Sequence, residues 1–167
     1  MIRPFLMTLV ALSAIVPSAS AVCDISQTKC ALNGGKCNIH FKNKTGNTHG
    51  SDRGSSLRQL PFAQTVIVKA RTADEKKIGN KLTITAGASK TMNVDKKSKK
   101  DFQDIRIYSK DFAKKPVRSV VIPCEDIKAI LNGNGTCKVF YGSRTQDLLI
   151  FKYGLGYQCD GGKIGGP

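Results

Sequence analysis

Apolar and polar residues alternate through four short stretches in the middle of the chain. These are Thr65-Val66-Ile67-Val68-Lys69-Ala70, Lys81-Leu82-Thr83-Ile84-Thr85, Thr91-Met92-Asn93-Val94 and Asp104-Ile105-Arg106-Ile107-Tyr108. A period near two belongs to a strand with one buried face. Upstream, Cys37-Asn38-Ile39-His40-Phe41-Lys42 alternates cleanly and predicts a first strand, with Ile39 and Phe41 inward and His40 and Lys42 outward. Residues 117–122 predict another strand, ended by Pro123, which has no N–H to give a ladder.

The period then changes. Ile127, Ile130 and Leu131 stand at i, i+3 and i+4, with Glu125 and Asp126 ahead of them and Gly133 behind, so one short helix is expected in the C-terminal third. Residues 137–141 and 148–153 read as two closing strands about a turn at 142–146, followed from Gly154 by a glycine-rich tail anchored at Cys159. Six to eight short strands with one helix favour an all-β fold, an antiparallel sandwich or barrel. A parallel α/β arrangement would need crossover helices that the pattern lacks.

Between the strands, residues 22–36 show neither period and read as an irregular, disulfide-pinned arm. Residues 43–56 hold almost no apolar side chain and read as a long loop, a class that is often functional or disordered. Gly79-Asn80 and Ala86-Gly87-Ala88 mark turns.

The N-terminus changes the picture. One arginine, an apolar run over 5–16 too short to span a bilayer, and Ala19-Ser20-Ala21 together predict a secretory signal peptide at 1–21. Cleavage after Ala21 would leave 146 residues, 22–167, the length of one β-rich domain able to build its own core. No later segment approaches transmembrane length. All six cysteines, Cys23, Cys30, Cys37, Cys124, Cys137 and Cys159, fall after the cleavage site, and an even number in an exported chain predicts three disulfides. Metal ligation is disfavoured, because no Cys-x-x-Cys pair occurs. Six cysteines permit fifteen pairings. Three lie before the central strands and three after, so full pairing forces at least one bridge across the whole core.

Charge narrows the partners. Without Arg3 the chain carries 26 basic and 12 acidic residues, a net +14, and so attracts anions over its whole surface. Lys96-Lys97-Ser98-Lys99-Lys100 packs four cations into one connection, Lys114-Lys115 with Arg118 makes a second cluster, and Lys76-Lys77 with Lys81 a third. Such clusters grip phosphates or sulfates as point charges, or keep strand edges from pairing with other chains. There is no Trp, and few aromatics accompany the clusters, which disfavours sequence-specific reading of nucleic acid.

Catalytic motifs do not assemble. No Gly-x-Ser-x-Gly elbow and no His-Glu-x-x-His occurs, the glycine pairs lack a phosphate-loop context, and paired cysteines are not nucleophiles. A nuclease would need a base and an acid, for which His40 and His49 are the weak candidates. Two acceptor triplets for N-glycosylation, Asn43-Lys44-Thr45 and Asn134-Gly135-Thr136, fall in predicted loops.

The expectation is therefore a secreted or periplasmic, disulfide-stabilised basic β-sandwich. It binds an anionic polymer, a lipid surface or an acidic protein through Lys96, Lys97, Lys99, Lys100, Lys114, Lys115 and Arg118, with no cofactor, no metal and no catalysis. The alternatives are a small secreted hydrolase, most plausibly a nuclease, and an inhibitor or toxin-like protein that contacts another protein through 43–56.

Overall fold

β1 (Asn38–Asn43) alternates as its sequence predicts: Ile39 and Phe41 are fully buried, and His40 and Lys42 are exposed. The computed structural model describes residues 22–46, 57–59, 62–72, 81–95, 102–110, 119–146 and 150–166. Besides β1, these hold α1 (Lys29–Leu32), β2 (Leu57–Gln59), β3 (Val66–Thr72), β4 (Leu82–Ile84), β5 (Ser89–Asn93), β6 (Phe102–Ser109) and β7 (Val120–Ile122). After them come α2 (Cys124–Asn132), β8 (Thr136–Gln146), β9 (Ile150–Cys159) and β10 (Lys163–Gly165).

Two sheets pack into a sandwich, with no closed barrel among the described residues. Sheet A runs β10-β9-β8-β1-β5, with β2 also on β8, and sheet B runs β4-β3-β6-β7. The turn after β4 carries the chain from sheet B to sheet A. Its Gly87 has φ +82°, and Ala88 N–H donates to the Thr85 carbonyl at 3.0 Å. The core between the sheets is aliphatic and aromatic, with Phe41, Val68, Ile84, Phe102, Ile107 and Ile122 all fully buried.

Sheet A is not wholly antiparallel. β1 and β8 pair in parallel, His40 beside Thr136 and Lys42 beside Lys138, while the other pairs are antiparallel. Strand period fixes which face a residue takes but not which strand lies beside it. Two further differences have the same kind of cause. The arm at 22–36, read as irregular, contains the one-turn helix α1. The glycine-rich tail is part of the sheet: β8 continues through Gln146, β9 runs to Cys159, and β10 pairs on β9. The glycines are there for closeness. A Cβ on Gly156 would come within 2.8 Å of the Phe140 ring, and one on Gly165 would overlap the Tyr157 ring.

α2 forms where its period predicts, burying Ile127, Ile130 and Leu131, and packs against β1 and β10 of sheet A and β6 of sheet B. Tyr157 donates its hydroxyl to Asp126 Oδ2 at 2.8 Å, and Lys163 Nζ lies 3.3 Å from Asp126 Oδ1. Burial first, then the Asp126 hydrogen bond, push the Tyr157 phenol well above its ordinary range. The folded state therefore holds a proton that the unfolded chain releases above about pH 10. That stability is complete below this pH and is lost as pH rises. Tyr157→Phe is expected to cost about 1.5–3 kcal/mol at neutral pH, the range for a hydrogen bond to a charged group, and to flatten the alkaline limb, as read by urea unfolding at several pH values. An unchanged alkaline limb would assign that pH dependence elsewhere.

The cysteines pair as Cys23–Cys124, Cys30–Cys37 and Cys137–Cys159, with none free. The first is the bridge across the core that parity requires, spanning 101 positions. The second is local, and the third joins directly paired residues of β8 and β9. Three disulfides fit an oxidising compartment. No described helix is long and apolar enough to cross a membrane.

Candidate functional site: a cationic face on sheet A

The lysine run and its companions, Lys96, Lys97, Lys99, Lys100, Lys114, Lys115 and Arg118, lie outside the described residues, as do His49 and residues 1–21. His40 is described. It stands exposed on the outer face of sheet A, its Nδ1 2.6 Å from Thr91 Oγ1 on β5. Among the described residues, no group of three or more His, Cys, Asp or Glu is placed to hold a metal ion.

The described residues bring together a different set of cations. Register places residues of successive strands side by side on the outer face of sheet A. One row reads Ser89 on β5, Lys42 on β1, Lys138 on β8, Gln158 on β9 and Ile164 on β10. A second row, one step toward the start of β1, reads Thr91, His40 and Thr136. Lys44 follows two residues beyond Lys42, where its backbone N–H donates to the Val139 carbonyl at 2.7 Å and holds it beside β8. Gly135 sets the start of β8 close against β1. It has φ +68°, accepts from His40 N–H at 2.7 Å, and leaves no room for a Cβ against the Asn38 carbonyl.

Three ammonium groups therefore share one patch. Lys42 above all, then loss of hydration, then Lys138, hold the Lys44 ammonium below the usual lysine range. No carboxylate among the described residues pairs with these lysines. Asp104 takes Arg71 in a two-pronged bridge on sheet B, with both contacts at 2.7 Å, and Asp126 takes Tyr157 and Lys163. Asp24 accepts from Ser26 N–H at 2.9 Å, Asp95 from Cys37 N–H at 2.7 Å and Asp160 from Thr136 N–H at 2.9 Å. Glu125 belongs to the first turn of α2. Asp160 thus reaches the backbone of Thr136 beside the patch, but none of the described carboxylates forms an ion pair with Lys42, Lys44 or Lys138.

This patch was only partly legible in the sequence. Alternation points Lys42 outward, but Lys42 and Lys138 are far apart in the chain, and only the parallel β1–β8 pairing sets them side by side. A contiguous run such as 96–100 is visible in a sequence; a cluster made by register is not.

Two other features of the described residues lie outside this patch and differ from it in chemistry. A groove of about 510 Å³ beside the N-terminal arm is lined by Val22, Ile25, Ala31, Asp24 and Asp95, but both carboxylates already accept backbone hydrogen bonds. At the end of β1, Asn43 is fully buried and ties the sheets together. Its Nδ2 donates to the carbonyls of Gln64 at 2.7 Å and Ile84 at 2.9 Å, and its Oδ1 accepts from the Thr45 N–H at 3.0 Å and the Thr45 hydroxyl at 2.6 Å. Its backbone N–H donates to the Ala88 carbonyl at 2.9 Å, and its carbonyl accepts from Gly87 N–H at 2.8 Å. Asn43 is thus the last residue of a strand, contrary to the loop its triplet suggested, whereas Asn134 is exposed in the turn between α2 and β8.

No protein-family model, no curated protein and no solved structure matches this chain.

Proposed function

We propose that this protein binds an anionic partner and catalyses nothing. The observation that supports it best is the patch of Lys42, Lys44 and Lys138, three cations gathered by strand pairing that form no ion pair with a carboxylate among the described residues. Like charges in contact cost stability, and a bound anion relieves that cost. The net charge of +15 adds a long-range field that raises the local concentration of polyanions. The partners of matching chemistry are an acidic polysaccharide, lipopolysaccharide, an anionic membrane surface or an acidic protein.

Binding through such cations releases counterions and falls steeply with salt. The full chain is expected to be retained on immobilised heparin at low ionic strength. Its association constant should drop about 10-fold or more between 50 and 200 mM salt, as ion-release binding through a few contacts requires. Absence of retention at low salt, or retention indifferent to salt, removes the reading.

A further inference from the structure

We propose that the partner is a sulfated or phosphorylated polysaccharide, lying across the strands of sheet A with one ester group seated among Lys42, Lys44 and Lys138. The inference rests on the anion-binding reading above and names both its site and its substrate class.

The geometry of the face carries it. Ser89, Lys42, Lys138, Gln158 and Ile164 are consecutive neighbours across five strands, and with strands about 4.8 Å apart the row is about 19 Å long. Such a row suits a linear polymer running perpendicular to the strands. Lys44, just past the end of β1, is about 7 Å from Lys42 along the chain, and Lys138 lies one strand over from Lys42. That spacing lets a tetrahedral oxyanion contact all three, each ammonium as a point charge with rotatable donors.

The neutral groups choose among polyanions. Thr136 and Thr91 flank the lysines with hydroxyls, the latter already in contact with His40 Nδ1 at 2.6 Å, and a hydroxyl pairs with sugar hydroxyls as both donor and acceptor. A nucleic-acid surface would want exposed aromatics for base stacking. Phe140, the Phe, Tyr or Trp side chain on this face among the described residues, is buried over Gly156, the His40 ring is engaged by Thr91, and the exposed Phe62 packs edge-on to Tyr141, whose side of the sheet meets the core. A membrane-binding face would want a broad apolar area to insert. Here the exposed large apolar residue of the row is Ile164 alone.

The test uses the full chain and three probes: a sulfated heparin hexasaccharide, a single-stranded oligonucleotide of matched charge, and vesicles containing an anionic phospholipid. Affinities are compared for wild type, for K42Q/K44Q/K138Q and for K96Q/K97Q/K99Q/K100Q, with melting curves to confirm folding. The hexasaccharide is expected to bind best. The sheet-face variant should weaken it by about 100-fold, the scale of three surface cations near a polyanion, and more than the run variant does. Amide shifts on titration should centre on Lys42, Thr91, Thr136 and Gln158, and the Lys44 ammonium should titrate at higher pH once the saccharide is bound. A sheet-face variant that binds like wild type, while the run variant loses binding, overturns the site and leaves anion binding standing. Tighter binding of oligonucleotide or vesicles overturns the substrate class. If wild type binds none of the three at low salt, the proposed function falls with it.

Discussion

Replacing Cys23 and Cys124 together by alanine is expected to lower the unfolding free energy by about 4.7 kcal/mol, more than opening either other disulfide. The reason is the length of chain each bridge closes. Cys23–Cys124 joins residues 101 positions apart, Cys137–Cys159 spans 22 and Cys30–Cys37 spans 7. Loop-closure entropy in the unfolded state then gives about 4.7, 3.4 and 2.4 kcal/mol in that order. Position adds to the effect. Cys23 is fully buried and its backbone N–H donates to the Phe102 carbonyl, so the bridge holds the N-terminal arm against β6 and the start of α2. For a chain of this size the loss lowers the melting temperature by about 10–18 °C. Urea unfolding of the three paired alanine variants measures the ranking. If the Cys30–Cys37 variant loses as much as the Cys23–Cys124 variant, local strain and packing, not chain length, set the contributions.

Asn43→Ala is expected to cost about 3–4 kcal/mol, a loss large for a single side chain outside the aliphatic core. The change takes the amide donor from the carbonyls of Gln64 and Ile84 and the acceptor from the Thr45 N–H at a position closed to water, and leaves the Thr45 hydroxyl only the Gln64 carbonyl at 3.1 Å. A buried acceptor left unmatched costs about 1–3 kcal/mol. Asn43→Asp discriminates between shape and hydrogen bonding. It keeps the volume and the acceptor toward Thr45 but sets an oxygen against two carbonyl oxygens. At neutral pH it should fare no better than alanine, and it should recover part of its stability as the carboxyl gains a proton at low pH. If Asn43→Asp is as stable as wild type at pH 7, Asn43 is not the clamp between the sheets that its contacts indicate.

The sequence pattern carries most of the local structure. β1 and α2 were legible because one period repeats without interruption: Ile39 and Phe41 against His40 and Lys42, then Ile127, Ile130 and Leu131. The need for a bridge across the core followed from three cysteines on each side. The rest depended on partners that a period does not specify. Gly156 reads as a tail residue, because a glycine chosen to let Phe140 approach resembles one chosen for a turn. The cationic patch was hidden for the same reason. Lys42 and Lys138 become neighbours through a parallel pairing that neither strand encodes alone. The contiguous lysines at 96–100 are what a sequence displays, and they lie outside the described residues.

The burial of Asn43 also bears on where this protein can be made. Asn43-Lys44-Thr45 is an acceptor triplet, and the transferase of the eukaryotic secretory pathway attaches its sugar to that side-chain nitrogen before the chain has folded. The same nitrogen sits at zero exposure with both hydrogens committed to Gln64 and Ile84, and Thr45 is closed around it. A sugar at this position and the native sandwich exclude one another. Asn134, exposed in its turn, carries no such conflict. The bacterial periplasm, oxidising and free of that transferase, is the production route that the folded structure itself recommends.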